Sequence, residues 1–107
     1  MFIALTKESE GYLRKKGIGN LLVDVTLIEE PCTQIYDANI THIKSEDIDK
    51  YRNIEKVVDG NLTLILTEQF LKIYGKLDEY QIDLGGFLKK KLILKNVEPI
   101  IKNTCKI

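Results

Sequence analysis

Two cysteines and one histidine are the residues of this chain best able to do chemistry: Cys32 in "EEPCTQIYD", Cys105 in the closing "IIKNTCKI", and His42 in "NITHIK". Thiolate and imidazole suit soft and borderline metals, and two thiols can also cycle with a disulfide. A two-iron cluster takes four thiolates. One chain offers two, so a homodimer in which both pairs converge would complete the set. No C-x-x-C is present, and the spacing of Cys32 and Cys105 leaves their convergence open. Lys102 and Lys106 near Cys105 can favour a thiolate, though lysines near a C-terminus are usually just solvated, and Glu29 and Glu30 would oppose one at Cys32 if they came close, so neither cysteine reads as a primed nucleophile. The plainer alternative is one buried and one exposed cysteine, both without a ligand.

His42 shares a strand face with Ile40, opposite Thr41 and Ile43, and is a candidate metal ligand or base. A half-exposed strand histidine is the simpler reading. Glu46, Asp47 and Asp49 in "SEDIDK" lack the ligand series and central glycine of a calcium loop, so they read as a solvated turn. "DLGGFLKKK" lacks the Gly-Lys-Ser/Thr of a phosphate loop, and Lys89, Lys90 and Lys91 alternate faces. No serine, histidine and acid constellation suggests an enzyme.

These groups must be positioned by a chain of 107 residues, with 44% hydrophobic residues and 16 charges of each sign. That is one domain, 1–107, able to build a core without metal or disulfide. Charge balance and the lack of an aromatic-basic stripe argue against nucleic acid as a partner. The opening "MFIALTKESEG" is too short an apolar run for a signal or membrane span, so no membrane partner and a cytoplasmic location are expected. In that compartment a Cys32–Cys105 disulfide is the less favoured arrangement.

No internal repeat is evident along the chain. "TKESEGYLRKKG" reads as a helix capped by Thr6, with acids early, bases late and Gly17 as its stop. "NLLVDVTLIEE" alternates, placing Leu21, Val23, Val25 and Leu27 on one face, and Pro31 ends that strand. "TQIYDANITHIK" is a second strand, and "SEDIDKYRN" a loop or single helical turn. "IEKVV" and "NLTLIL" form a hairpin about Asp59-Gly60. "TEQFLKIYG" is a second helix, capped by Thr67 and stopped at Gly75. "EYQIDL" and "KKLILK" are strands joined across Gly85-Gly86. Phe70, Tyr74, Tyr80 and Phe87 are expected to pack near the second helix. The remainder, about 97–107, reads as extended or flexible. The expected fold class is mainly β with two short helices (α+β), in a mostly antiparallel sheet assembly.

The stretch "VVDGNLTLILTEQFLKIYGKLDEYQIDLGGFLKKKLIL", with "ALTKESEGYLRKKG" before it, resembles the HesB-like domain of A-type iron–sulfur carriers. It is closest to the small CC/Se-motif HesB-like (seleno)proteins. The shared features are the Asp-Gly between strands, the short helix, Ile-Asp in a strand and a following Gly-Phe. The resemblance implies that a mid-chain cysteine, matched by Cys32, approaches C-terminal cysteines, matched by Cys105, to hold iron or an iron–sulfur cluster, often across a dimer. The cysteine motif is degenerate: "NTCKI" supplies one thiol for the family's Cys-Gly-Cys, and Pro31 and Thr33 flank Cys32. Three functions follow as expectations. The first is a non-catalytic HesB-like binding or interaction module with an unknown protein partner. The second is a degenerate iron or cluster carrier using Cys32 and Cys105, with His42 as a lesser candidate. The third is a redox accessory using the cysteines as a reversible dithiol.

Overall fold

A computed structural model describes residues 2–86 and 89–105. Its elements are β1 (Phe2–Leu5), α1 (Lys7–Lys16), β2 (Asn20–Glu30), β3 (Thr33–His42), a 3-10 segment (Ser45–Tyr51), β4 (Glu55–Asp59), β5 (Leu62–Leu66), α2 (Glu68–Tyr74), β6 (Glu79–Gly85), β7 (Lys91–Leu94) and β8 (Ile100–Asn103). The fold is mainly β with short helices, as the residue patterns predict. The strands form two mixed sheets, ordered β1-β6-β7 and β4-β5-β2-β3-β8. Most pairings are antiparallel, but β1–β6 and β2–β5 are parallel. β1 is the opening "FIAL", too short to announce a strand; its pairing with β6 makes it one.

Both helices begin and end where their residues direct. Thr6 Oγ1 accepts from Ser9 N, and Gly17 stops α1 at φ 65°. Thr67 Oγ1 likewise accepts from Phe70 N, and Gly75 follows α2. The β4–β5 turn falls one residue later than expected. Asp59 still pairs with Leu62, leaving Gly60-Asn61 as the loop, with Gly60 at φ 61°. The Asp59 side chain also reaches across to the first strand. Its Oδ2 accepts from Ile3 N at 2.9 Å, fastening β1 to this hairpin.

The structure also contains an internal repeat that the sequence hides. One unit is β1-α1-β2-β3 and the other β5-α2-β6-β7. Each has a strand, a threonine-capped helix, a strand bearing an aspartate and an antiparallel return. The units interlock, because each first strand pairs in parallel with the other unit's aspartate strand. At one crossing Thr6 N donates to Ile82 O (3.1 Å) and Thr6 Oγ1 to Asp83 Oδ1 (2.8 Å). At the other, Thr67 N donates to Val23 O (3.1 Å) and Thr67 Oγ1 to Asp24 Oδ1 (3.0 Å). Each aspartate also accepts its successor's N–H, from Leu84 and Val25. The shared identities are few, and the helices differ in length, 10 residues against 7.

The core lies where the units interlock: Leu21, Val23, Leu64, Leu66, Phe70, Tyr80 and Ile82 are essentially inaccessible. Phe70 stacks on Tyr74 at 5.1 Å and lies 6.4 Å from Tyr80. Phe87, expected in the same cluster, lies outside the described residues. β2 and β3 outrun this core, so Leu27, expected on the apolar face, is 41% exposed. The radius of gyration, 14.9 Å, exceeds the roughly 13 Å of a compact chain this long, consistent with a projecting arm. Among the described residues, no helix is long and apolar enough to cross a membrane.

Candidate functional site: a cysteine pair at the hairpin tip

The projecting arm ends at Pro31-Cys32. Glu30 pairs with Thr33, so these two residues alone make the turn. Proline presets its own φ near −65° and donates no N–H, which suits the first turn position. Cys32 follows at φ 64°, the one positive φ outside glycine among the described residues. Turns of this pattern usually place glycine or asparagine there. A side chain in the left-handed region costs about 1–2 kcal/mol.

The C-terminal segment meets this tip. β8 runs antiparallel to β3, with Tyr36 opposite Ile100 and Thr33 opposite Asn103. One step further, Thr104 N donates to Cys32 O at 2.9 Å. Asn103 Oδ1 then accepts from Cys105 N at 3.1 Å. Cys105 is thereby brought to Cys32, with Cα atoms 4.6 Å apart, and the two form a disulfide. That Cα separation lies within the ordinary disulfide range. Both residues are exposed. The disulfide, the less favoured arrangement on sequence grounds, is therefore the one formed, and the alternative of one buried and one exposed cysteine is corrected as well. The cause is the β3–β8 register, a long-range pairing with no local signature.

The other candidates are not brought to this pair. His42 is exposed at the far end of β3, ~30 Å away at ~3.3 Å per residue. The Lys102 ammonium lies over the Tyr36 ring, 5.1 Å from its centroid. Lys106 lies outside the described residues. Asp47 pairs with Lys50 at 3.3 Å in the 3-10 segment, while Glu46 and Asp49 face solvent, as do Lys89, Lys90 and Lys91. Among the described residues no group of three or more His, Cys, Asp or Glu side chains could hold a metal ion. The donors of one chain thus do not fit an iron–sulfur cluster: paired sulfurs are not ligands, and the reduced pair supplies only two thiolates. A surface cleft of about 690 Å³ mixes Asp24 and Glu68 with Lys72 and Lys102, and its lining contains no cysteine or histidine.

Tyr74 is a positioning residue that sequence reasoning assigned only to packing. Its hydroxyl lies 3.1 Å from Tyr36 O and 3.0 Å from Glu98 O, carbonyls on β3 and on the approach to β8. Partial burial, with a smaller contribution from Asp37, raises its pKa and keeps it a donor. No family model matches the chain, and no curated protein or solved structure is significantly similar to it.

Proposed function

We propose that this chain is a non-catalytic HesB-like binding module whose Cys32–Cys105 pair cycles between disulfide and dithiol. The HesB-like part rests on the sequence resemblance alone. The redox part rests on one observation: two cysteines distant in sequence meet, exposed, at the tip of an arm. Exposure matters because exchange needs a thiolate to reach a disulfide sulfur in line. In reduction, a partner dithiol supplies two electrons and two protons. One of its thiolates attacks a sulfur of the pair and expels the other, and its second thiol resolves the mixed disulfide. Both cysteines end as thiols and the partner as a disulfide. In a cytoplasm such a pair would be transient.

The test is alkylation with mass readout across a series of glutathione redox buffers. A smooth, reversible passage from no labelled cysteine to two supports the cycle. A pair that stays oxidised in the folded protein under reducing buffer makes the bond structural. The carrier reading survives only as a dimer of reduced chains. Anaerobic reconstitution with iron and sulfide, beside Cys32→Ser and Cys105→Ser, decides it: thiol-dependent colour at two chains per cluster supports a carrier, and its absence retires one.

A further inference from the structure

We propose that the Cys32–Cys105 bond is a redox clasp on β8: its reduction frees Ile100–Asn103 from β3 and uncovers the edge Thr33–Tyr36, while the rest of the fold stays in place. This rests on the pair being reversible, as read above.

β8 is an appendage. It belongs to neither interlocked unit, and the buried core residues run from Leu13 to Leu94, with none in β8. Ile101 is 68% exposed, Lys102 and Asn103 are exposed, and Ile100 alone is half-buried. Without the bond, the strand is held by backbone pairs to four residues of β3, by Thr104 N on Cys32 O, and by Lys102 over Tyr36. An edge strand that buries so little apolar surface gains little to offset the entropy of ordering its backbone. Such segments are where native proteins open locally.

The opening has a natural limit. Val97 packs against the core, and the Tyr74 hydroxyl holds Glu98 O. The chain is therefore anchored just before Pro99, and release begins beyond it. The reductant is a dithiol, which gives up two electrons and two protons to the pair and ends as a disulfide.

Antiparallel pairing supplies an internal control. Strand amides alternate between their two neighbours. Cys32 O accepts from Thr104 N, so Gln34 and Tyr36 are the β3 residues whose amides face β8. The hairpin closes at Glu30–Thr33, so the amides of Ile35 and Asp37 face β2.

Residue-resolved hydrogen exchange on the full chain, oxidised and then reduced with a phosphine, tests the clasp. The expected result is exchange at Gln34 and Tyr36 faster by roughly tenfold or more on reduction, with Ile35, Asp37 and the β5 amides changed by less than about twofold. Oxidant should restore the first state, and Cys105→Ser should match the reduced protein without any reductant. Unchanged exchange at Gln34 and Tyr36, with both thiols shown free by alkylation, overturns the clasp alone. Equal acceleration at all four positions overturns it too, because reduction would then loosen the whole fold. Alkylation showing two free cysteines before reduction, or none after it, removes the reversible pair and the clasp together.

Discussion

Among single residues, the two threonine–aspartate latches each tie the start of a helix to the other unit's aspartate strand. The Asp83 carboxylate accepts from Thr6 and from Leu84 N, and these bonds hold its pKa below the ordinary value, with Lys95 adding slightly. A depressed folded-state pKa contributes stability that is complete above the unfolded value, near 3.9. That contribution is lost as pH falls through the lowered folded value. Asp83→Asn should therefore be less stable than wild type at neutral pH, and thermal melts should converge as pH drops below about 4. Melts that stay parallel down to the lowest pH would contradict this. Thr67 caps α2 and also donates to Asp24, so Thr67→Ala removes two bonds at once. It should cost about 1–2 kcal/mol in urea unfolding; a loss within 0.3 kcal/mol, roughly the additivity error for independent sites, would show the latch idle.

Elements differ in what holds them. α1, α2 and β5 are fixed by burial, whereas β8 is fixed by its ends. Tyr74 governs the near end, so Tyr74→Phe should cost about 1 kcal/mol, with faster exchange appearing around Glu98 and β8 and not in α1. The disulfide governs the far end. It closes a loop of 73-residue separation, which by chain entropy stabilises the folded state by roughly 4 kcal/mol. A freed β8 gains disorder in the reduced native state and returns part of that sum. The Cys32→Ser/Cys105→Ser variant should therefore lose less than ~4 kcal/mol in chemical denaturation while keeping the native far-ultraviolet spectrum; collapse of that spectrum would mean that β8 supports the core.

The molecule is built on two βαββ units that complete each other's sheets, with β4 and β8 added at the two edges of the larger sheet. Because β1 joins the second unit and β5 the first, neither half can satisfy its edge strands alone. Fragments 1–44 and 52–107, divided at the 3-10 segment, which has no buried residue, should each be largely unfolded by circular dichroism and regain strand signal on mixing. A folded isolated half would refute the interlock. Much of this architecture is legible in the residues. Alternation at Leu21, Val23 and Val25 marks a strand, and Thr6, Gly17, Thr67 and Gly75 mark helix ends, since these are local preferences of backbone and side chain. Capping gave the helix boundaries, but the repeat stayed hidden because its likeness lies in hydrogen-bond roles more than in residue identity. "FIAL" gave no strand signal of its own, since a four-residue strand acquires its identity from the neighbour it pairs with. At Cys32 and Cys105 the residue order set which groups were available, a pair of sulfurs with no third ligand motif beside them. That they meet, and that His42 stands apart, follows from the folded sheet, because strand register joins residues across any length of chain and leaves no local trace.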